Sequence, residues 1–141
     1  MTERLGVGDY PLAERRPELV KGRGGKPLEA ITLEAVVAGD VTLDDLRITP
    51  DALRRQGAIA RDAGRATLAA NFERAAELCD VPQDVIMQVY ELLRPGRARD
   101  KGPLLDAART LRETYGAHRM AAFVEEAAAV YEQRGLYTYR F

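Results

Sequence analysis

His118 is the only histidine among 141 residues. An imidazole can move a proton near neutral pH or ligate a metal. Metal sites need a cluster of ligands, however, and neither a second histidine nor the single cysteine, Cys79, stands at ligand spacing from it. His118 therefore reads as a surface or structural side chain. Cys79 falls at the C-terminal end of a predicted helix, just before Asp80. The negative end of a helix dipole raises a thiol pKa, the wrong direction for a nucleophile. A small, half-buried apolar residue is the better reading. Gly22-Arg23-Gly24-Gly25-Lys26 has the glycine content of a phosphate-binding loop. It lacks the GxxxxGK[ST] spacing, follows no buried strand, and runs into Pro27, which has no N–H to offer. A turn explains it better.

Charged side chains are plentiful, with 21 basic and 22 acidic residues. No two carboxylates are set apart in apolar surroundings, as paired acid and base work requires. Arg54, Arg55, Arg61, Arg65 and Arg74 could line a basic ridge on one predicted helix, but Asp51, Asp62, Glu73 and Glu77 share it. That mixture fits a solvated face or a protein interface better than nucleic-acid readout. Arginine is enriched at interface hot spots, so these residues are the chain's best contact candidates. The sequence predicts no catalytic, cofactor-binding or metal-ligating residue.

The elements that would position these residues are helices. The central stretch, residues 48–79, opens with Thr49 as N-cap and Pro50 in the first helical position, where its missing N–H costs nothing. Leu53, Gly57, Ala60, Gly64, Leu68, Asn71, Ala75 and Leu78 then recur at spacings of three and four, one face of a helix. Most of that face is glycine or alanine, so a neighbouring helix could approach closely. Gly64 could end one helix and start another, but the periodicity runs through it, which favours one long or slightly broken helix. Upstream, Thr32 can cap a helix over Leu33–Ala38 with apolar Leu33, Val36 and Val37, and Gly39 suits a left-handed C-cap. Thr42-Leu43-Asp44-Asp45 resembles a capping box. Downstream, Val81-Pro82 opens a helix with Val85, Ile86, Val89, Leu92 and Leu93 on its core face. Pro95-Gly96 stops it, and residues 96–102 read as a polar, exposed connector. A last helical region starts at Pro103. Its first stripe is Leu104, Ala108, Leu111 and Tyr115; its second is Met120, Phe123, Ala127, Val130 and Tyr131. The offset between them predicts a kink or break near Gly116. After Gly135 the tail carries Tyr137, Tyr139 and Phe141, which should pack on the domain or a partner.

The predicted fold class is all-α: a single small domain, helical over residues 31–141, with an extended N-terminal arm over residues 1–30. A long leader with little structure of its own lies on something, and Tyr10 and Leu12 are its apolar anchors. The net charge of −1, with basic and acidic residues interleaved, argues against a nucleic-acid or membrane-surface protein. One cysteine allows no internal disulfide. Residues 1–4 show no apolar signal region and no apolar run reaches membrane-spanning length, so the expected location is the cytoplasm. Much of the 46% hydrophobic content is alanine, which buries little area per residue. Such a chain is expected to lean on a partner.

Several blocks in collinear order resemble the small (gamma) subunit of adenosylcobalamin-dependent diol and glycerol dehydratases. They are Asp9-Tyr10-Pro11-Leu12-Ala13, Arg47-Ile48-Thr49-Pro50, Asp62-Ala63-Gly64-Arg65, Asn71 to Leu78, Leu93-Arg94-Pro95, Ala121 to Val124 and Glu126-Ala127-Ala128. The likeness covers residues 8 to 134. It implies an enzyme built as a dimer of three-chain units, with large, medium and small subunits. In it a large-subunit barrel holds substrate and metal, and adenosylcobalamin lies between the large and medium subunits. The small subunit supplies no catalytic, cobalamin or metal residue and supports the large one. The expected partner-contacting residues are Tyr10, Leu12, Arg65 and Arg74. Some relatives carry an extension before the Asp-Tyr-Pro block that serves solubility or delivery into a bacterial microcompartment. Here the block begins within ten residues of Met1, which argues against encapsulation through this chain; the expected address is the cytoplasm, with the interior of such a microcompartment as the second option. The Gly-rich turn at 22–25 and the aromatic tail after Gly135 are not features associated with that family. The alternative is a free-standing helical adaptor or regulatory protein.

Overall fold

A computed structural model describes residues 4–138. These are helical and irregular, and among the described residues the only β pairing is an isolated antiparallel bridge between Lys21 and Pro27. The all-α expectation holds. The chain gathers into two compact units, Met1–Cys79 and Asp80–Phe141.

The first unit is framed by two helices, α4 (Pro50–Asp62) and α5 (Ala66–Leu78). The expectation of one long or slightly broken helix over this stretch is corrected: it is a helical hairpin. Gly64 sits at φ +76°. Its N–H bonds to the Arg61 carbonyl at 3.0 Å, and the Arg65 N–H bonds to the Ala60 carbonyl at 2.8 Å. These are the two closing bonds of a Schellman turn, which ends a helix through one left-handed residue. The small-residue line stays periodic through the turn because the chain folds that line back on itself. Gly57, Ile59 and Ala60 of α4 and Ala69 and Ala76 of α5 are buried. A Cβ on Gly57 would lie 3.3 Å from Phe72 Cβ and 3.5 Å from the Ala69 carbonyl oxygen. The close neighbour that the sequence asks for is thus the second half of the same stretch.

Ahead of this hairpin lie three 3-10 turns (Val7–Asp9, Pro17–Leu19, Leu28–Ala30) and three short helices. These are α1 (Leu12–Arg15), α2 (Leu33–Val37) and α3 (Leu43–Leu46). Tyr10 and Pro11 are extended, as a residue before proline should be, but Leu12 already begins α1. Two contacts pin this segment to α4. Asp62 accepts the Val7 N–H at 2.8 Å, and Arg55 donates to the Leu19 carbonyl at 2.7 Å. Thr32 caps α2 by accepting the Ala35 N–H at 3.1 Å, and Asp45 accepts the Thr42 N–H at 3.0 Å at the start of α3.

In the second unit α6 (Gln83–Leu93), α7 (Gly102–Glu113) and α8 (His118–Gln133) follow in order. Helix α6 turns Val89 fully inward and Val85, Ile86, Leu92 and Leu93 partly so. The break at Gly116 is real, at φ +64° between α7 and α8. Leu104, Ala108 and Leu111 are buried on α7 as expected. The stripe expected on α8 is displaced: Ala117, Ala121, Val124 and Ala128 are buried, whereas Phe123 is 39% exposed. Packing α8 against α7 at short range needs small side chains at the contact, and the larger ones then flank it. The connector over 96–102 is also less exposed than expected, since Gly96 and Ala98 are buried. Arg112 of α7 and Glu125 of α8 form a two-pronged pair at 2.5 and 3.0 Å. That arginine holds the Glu125 carboxyl below its ordinary pKa. Tyr137 folds back onto α8, donating to the Ala128 carbonyl at 2.7 Å and meeting Tyr131 edge-on at 6.3 Å between ring centres. Tyr139 and Phe141 lie outside the described residues.

Candidate functional site

His118 is exposed in the first position of α8. Cys79 is half-buried and its thiol donates to the Ala75 carbonyl at 3.6 Å. Among the described residues no group of three or more His, Cys, Asp or Glu side chains could hold a metal ion.

The glycine-rich loop closes on a buried carboxylate. Asp45, only 7% exposed, takes a backbone hydrogen bond from Thr42 and the Lys26 ammonium at 3.0 Å. The Thr42 N–H, followed by Lys26, holds its carboxyl below the ordinary Asp value. Lys26 also donates to the Asp40 carbonyl at 2.7 Å. A Cβ at Gly22 would stand 2.6 Å from the Asp45 carbonyl oxygen, and one at Gly24 would stand 2.8 Å from its side-chain oxygen. Glycines occur there because the loop backbone presses against Asp45. The turn was legible in the sequence, but its partner, some twenty residues on, was not. The only signal was that Asp45 also completes the capping box of α3.

The five arginines do not build a ridge. Arg54 pairs with Asp51 at 3.5 Å, Arg61 with Glu73 at 2.6 Å, Arg55 reaches Leu19, and Arg74 donates to Asn71. Tyr10 and Leu12 are brought together in an apolar groove with Leu19, Val20 and Ala52, roofed by Arg55. Arg65 and Arg74 are not part of it. Arg65 is exposed at the start of α5, and Arg74 is half-buried nine residues, two and a half turns, further along.

What the sequence missed is the direction of the apolar faces of α2 and α3. Leu33, Val36 and Val37 do share one face, but it points outward: Leu33 is 74% exposed and Val37 81%. Leu43 of α3 is 82% exposed, and Leu46 and Ile48 are more than half exposed. Alternation of large apolar residues on two capped helices was visible; which side of each helix meets the unit was not.

The described residues thus present exposed apolar helix faces and locally paired charges. The model of the dehydratase small subunit family matches residues 5–137, and the chain belongs to that family. The propanediol dehydratase small subunit of Salmonella typhimurium is 52% identical over 128 residues, covering 91% of this chain and 73% of that protein. The propanediol dehydratase small subunit of Citrobacter freundii is also 52% identical over 128 residues, covering 91% and 74%. A small subunit implies larger partner subunits. No helix among the described residues is long and apolar enough to cross a membrane.

Proposed function

We propose that this chain is the non-catalytic small subunit of an adenosylcobalamin-dependent dehydratase that converts 1,2-diols or glycerol to aldehydes. It assembles with a large and a medium subunit, two such trimers making the enzyme, and it supports the large subunit. The observation that carries this reading is the family match over residues 5–137 together with 52% identity to two propanediol dehydratase small subunits. This chain's own residues do not suit cobalamin. Its one imidazole is exposed at a helix start, and the Tyr10–Leu12 groove is lined mainly by apolar side chains, with Lys21, Arg55 and Gln56 as its polar members. The cofactor and the substrate belong to the other subunits. Assembly takes place in the cytoplasm or within a bacterial microcompartment.

The contacts assigned to assembly are Tyr10 and Leu12 in their groove and the arginines Arg65 and Arg74. Co-expression with the large and medium subunits should yield one complex containing all three chains, active with added cofactor, while this chain alone is inert. Reversing charge at Arg65 and Arg74 should weaken that complex and leave the helix content of the free chain unchanged. A fully active enzyme recovered stoichiometrically without this chain would overturn the proposal.

A further inference from the structure

We infer that the α2–α3 segment, residues 28–48, is a docking face for the large dehydratase subunit, through a partner surface that is apolar at its centre and basic at its edge. This assignment rests on the proposed function and adds where the contact lies. Its centre is six side chains, Leu33, Val36, Val37, Leu43, Leu46 and Ile48, exposed by 45% to 82%. On each short helix the apolar residues sit three or four apart, so each helix turns a whole apolar face outward. Leu33, Val37 and Leu43 are each more than 70% exposed, an unusual amount of large apolar side chain for so short a segment. A standard interface covers about 800 Å² per partner and is a little over half apolar, and exposed aliphatic side chains are what its centre is made of.

Charge selects the partner. Between residues 28 and 48 stand Glu29, Glu34, Asp40, Asp44 and Asp45 against the single Arg47. Asp45 is tied to Lys26 and Asp44 to Arg47. Glu29, Glu34 and Asp40 are exposed and enter no ion pair among the described residues. A second copy would bring the same acidic rim against this one, and like charges facing each other oppose that contact. The occupant is therefore a different chain carrying lysine or arginine around an apolar patch. The large subunit implied by the family is the partner to hand.

The face is also prepared for docking. Helices of five and four residues are too short to persist unaided. Here Thr32 caps one, and Asp45, gripped by Lys26, caps the other. The chain holds these helices in place without covering their apolar sides.

The test uses the full chain co-expressed with the large and medium subunits, in the wild-type form and as Val37→Asp, Leu43→Asp and the double variant. Both positions are more than four-fifths exposed, so the free variants should match the wild type in far-UV circular dichroism and melting temperature. Retention on the tagged large subunit should fall about tenfold or more for each single variant and to background for the double. Wild-type retention should also weaken as salt rises, reporting the charged rim. Variants retained as well as the wild type would overturn the assignment while leaving the proposed function intact. A wild-type chain that dimerises, with variants that are monomeric, would overturn it in favour of a second copy. Failure of the wild type itself to be retained would overturn the proposed function, and this assignment with it.

Discussion

Replacing Gly64 with alanine separates a helical hairpin from a continuous helix by the sign of its effect. In a continuous helix the change would gain about 1 kcal/mol, the propensity difference between the two residues. In the hairpin Gly64 holds φ +76°. An alanine there costs roughly 1–2 kcal/mol for the left-handed backbone, partly offset by a stiffer unfolded chain, for a net loss of about 1 kcal/mol. No neighbour lies within 4 Å of an added Cβ, so conformation alone sets the result. Gly57→Val gives a second, independent sign. Valine has a slightly better helix propensity than glycine, so a lone helix would gain a few tenths of a kcal/mol. Against α5 the Cβ already stands 3.3 Å from Phe72 Cβ, an atom that no rotamer change can move away. Two further methyl groups must push the helices apart, and overpacking of this kind costs roughly 1–3 kcal/mol. For a unit of this size the melting temperature should drop about 4–8 °C for Gly64→Ala and about 4–24 °C for Gly57→Val. Thermal melts of the free chain followed at 222 nm measure both. If either variant melts above the wild type, the hairpin and its close packing are wrong.

Two further perturbations test the packing and the buried carboxylate. Leu104→Ala empties a fully buried site on α7 and should cost about 2–5 kcal/mol in urea denaturation, whereas Leu33→Ala, at a site 74% exposed, should stay within about 0.5 kcal/mol; equal losses would contradict the placement of both. Asp45 is held below its ordinary pKa in the folded chain, so the unfolded chain binds the extra proton first: its stabilising effect is complete above the unfolded value, about 3.9, and is lost as pH falls through the lower folded value. Asp45→Asn should therefore lower the urea midpoint at pH 6 and flatten its fall toward pH 2, and parallel wild-type and variant curves would refute the linkage.

Helix starts and stops were the most legible part of this fold, because they depend on local chemistry. Thr32, Thr49-Pro50 and Gly135 each stand where the structure uses them. Position along a helix was less legible, and α8 shows why. Sequence reading follows the largest apolar residues, which selected Met120, Phe123 and Tyr131. Close helix contacts prefer the smallest, and Ala117, Ala121 and Ala128 lie one step around the helix. The same bias concealed the hairpin: a run of small residues has one period whether it meets a stranger or itself. Only the left-handed backbone at Gly64 decides between them, and glycine permits that conformation without requiring it. Asp45 was out of reach for a different reason. Its partner Lys26 is nineteen residues away, and no local rule connects a capping box with a distant turn.

The distribution of side-chain size carries the functional argument further than any single residue. Among the fully buried side chains the largest are Leu104, Leu111 and Val124, and most of the remaining core is alanine. Several of the large aliphatic residues, Leu33, Val37 and Leu43 among them, face outward instead. A protein built to act alone gains nothing from this arrangement, since exposed apolar area adds no stability and invites association. A subunit does gain, because area left open in the free chain becomes buried on assembly. Anything that binds the folded chain and not the unfolded one raises its apparent stability with concentration. The small side chains let the helices draw close, and on the docking proposal the large outward-facing ones serve the partner.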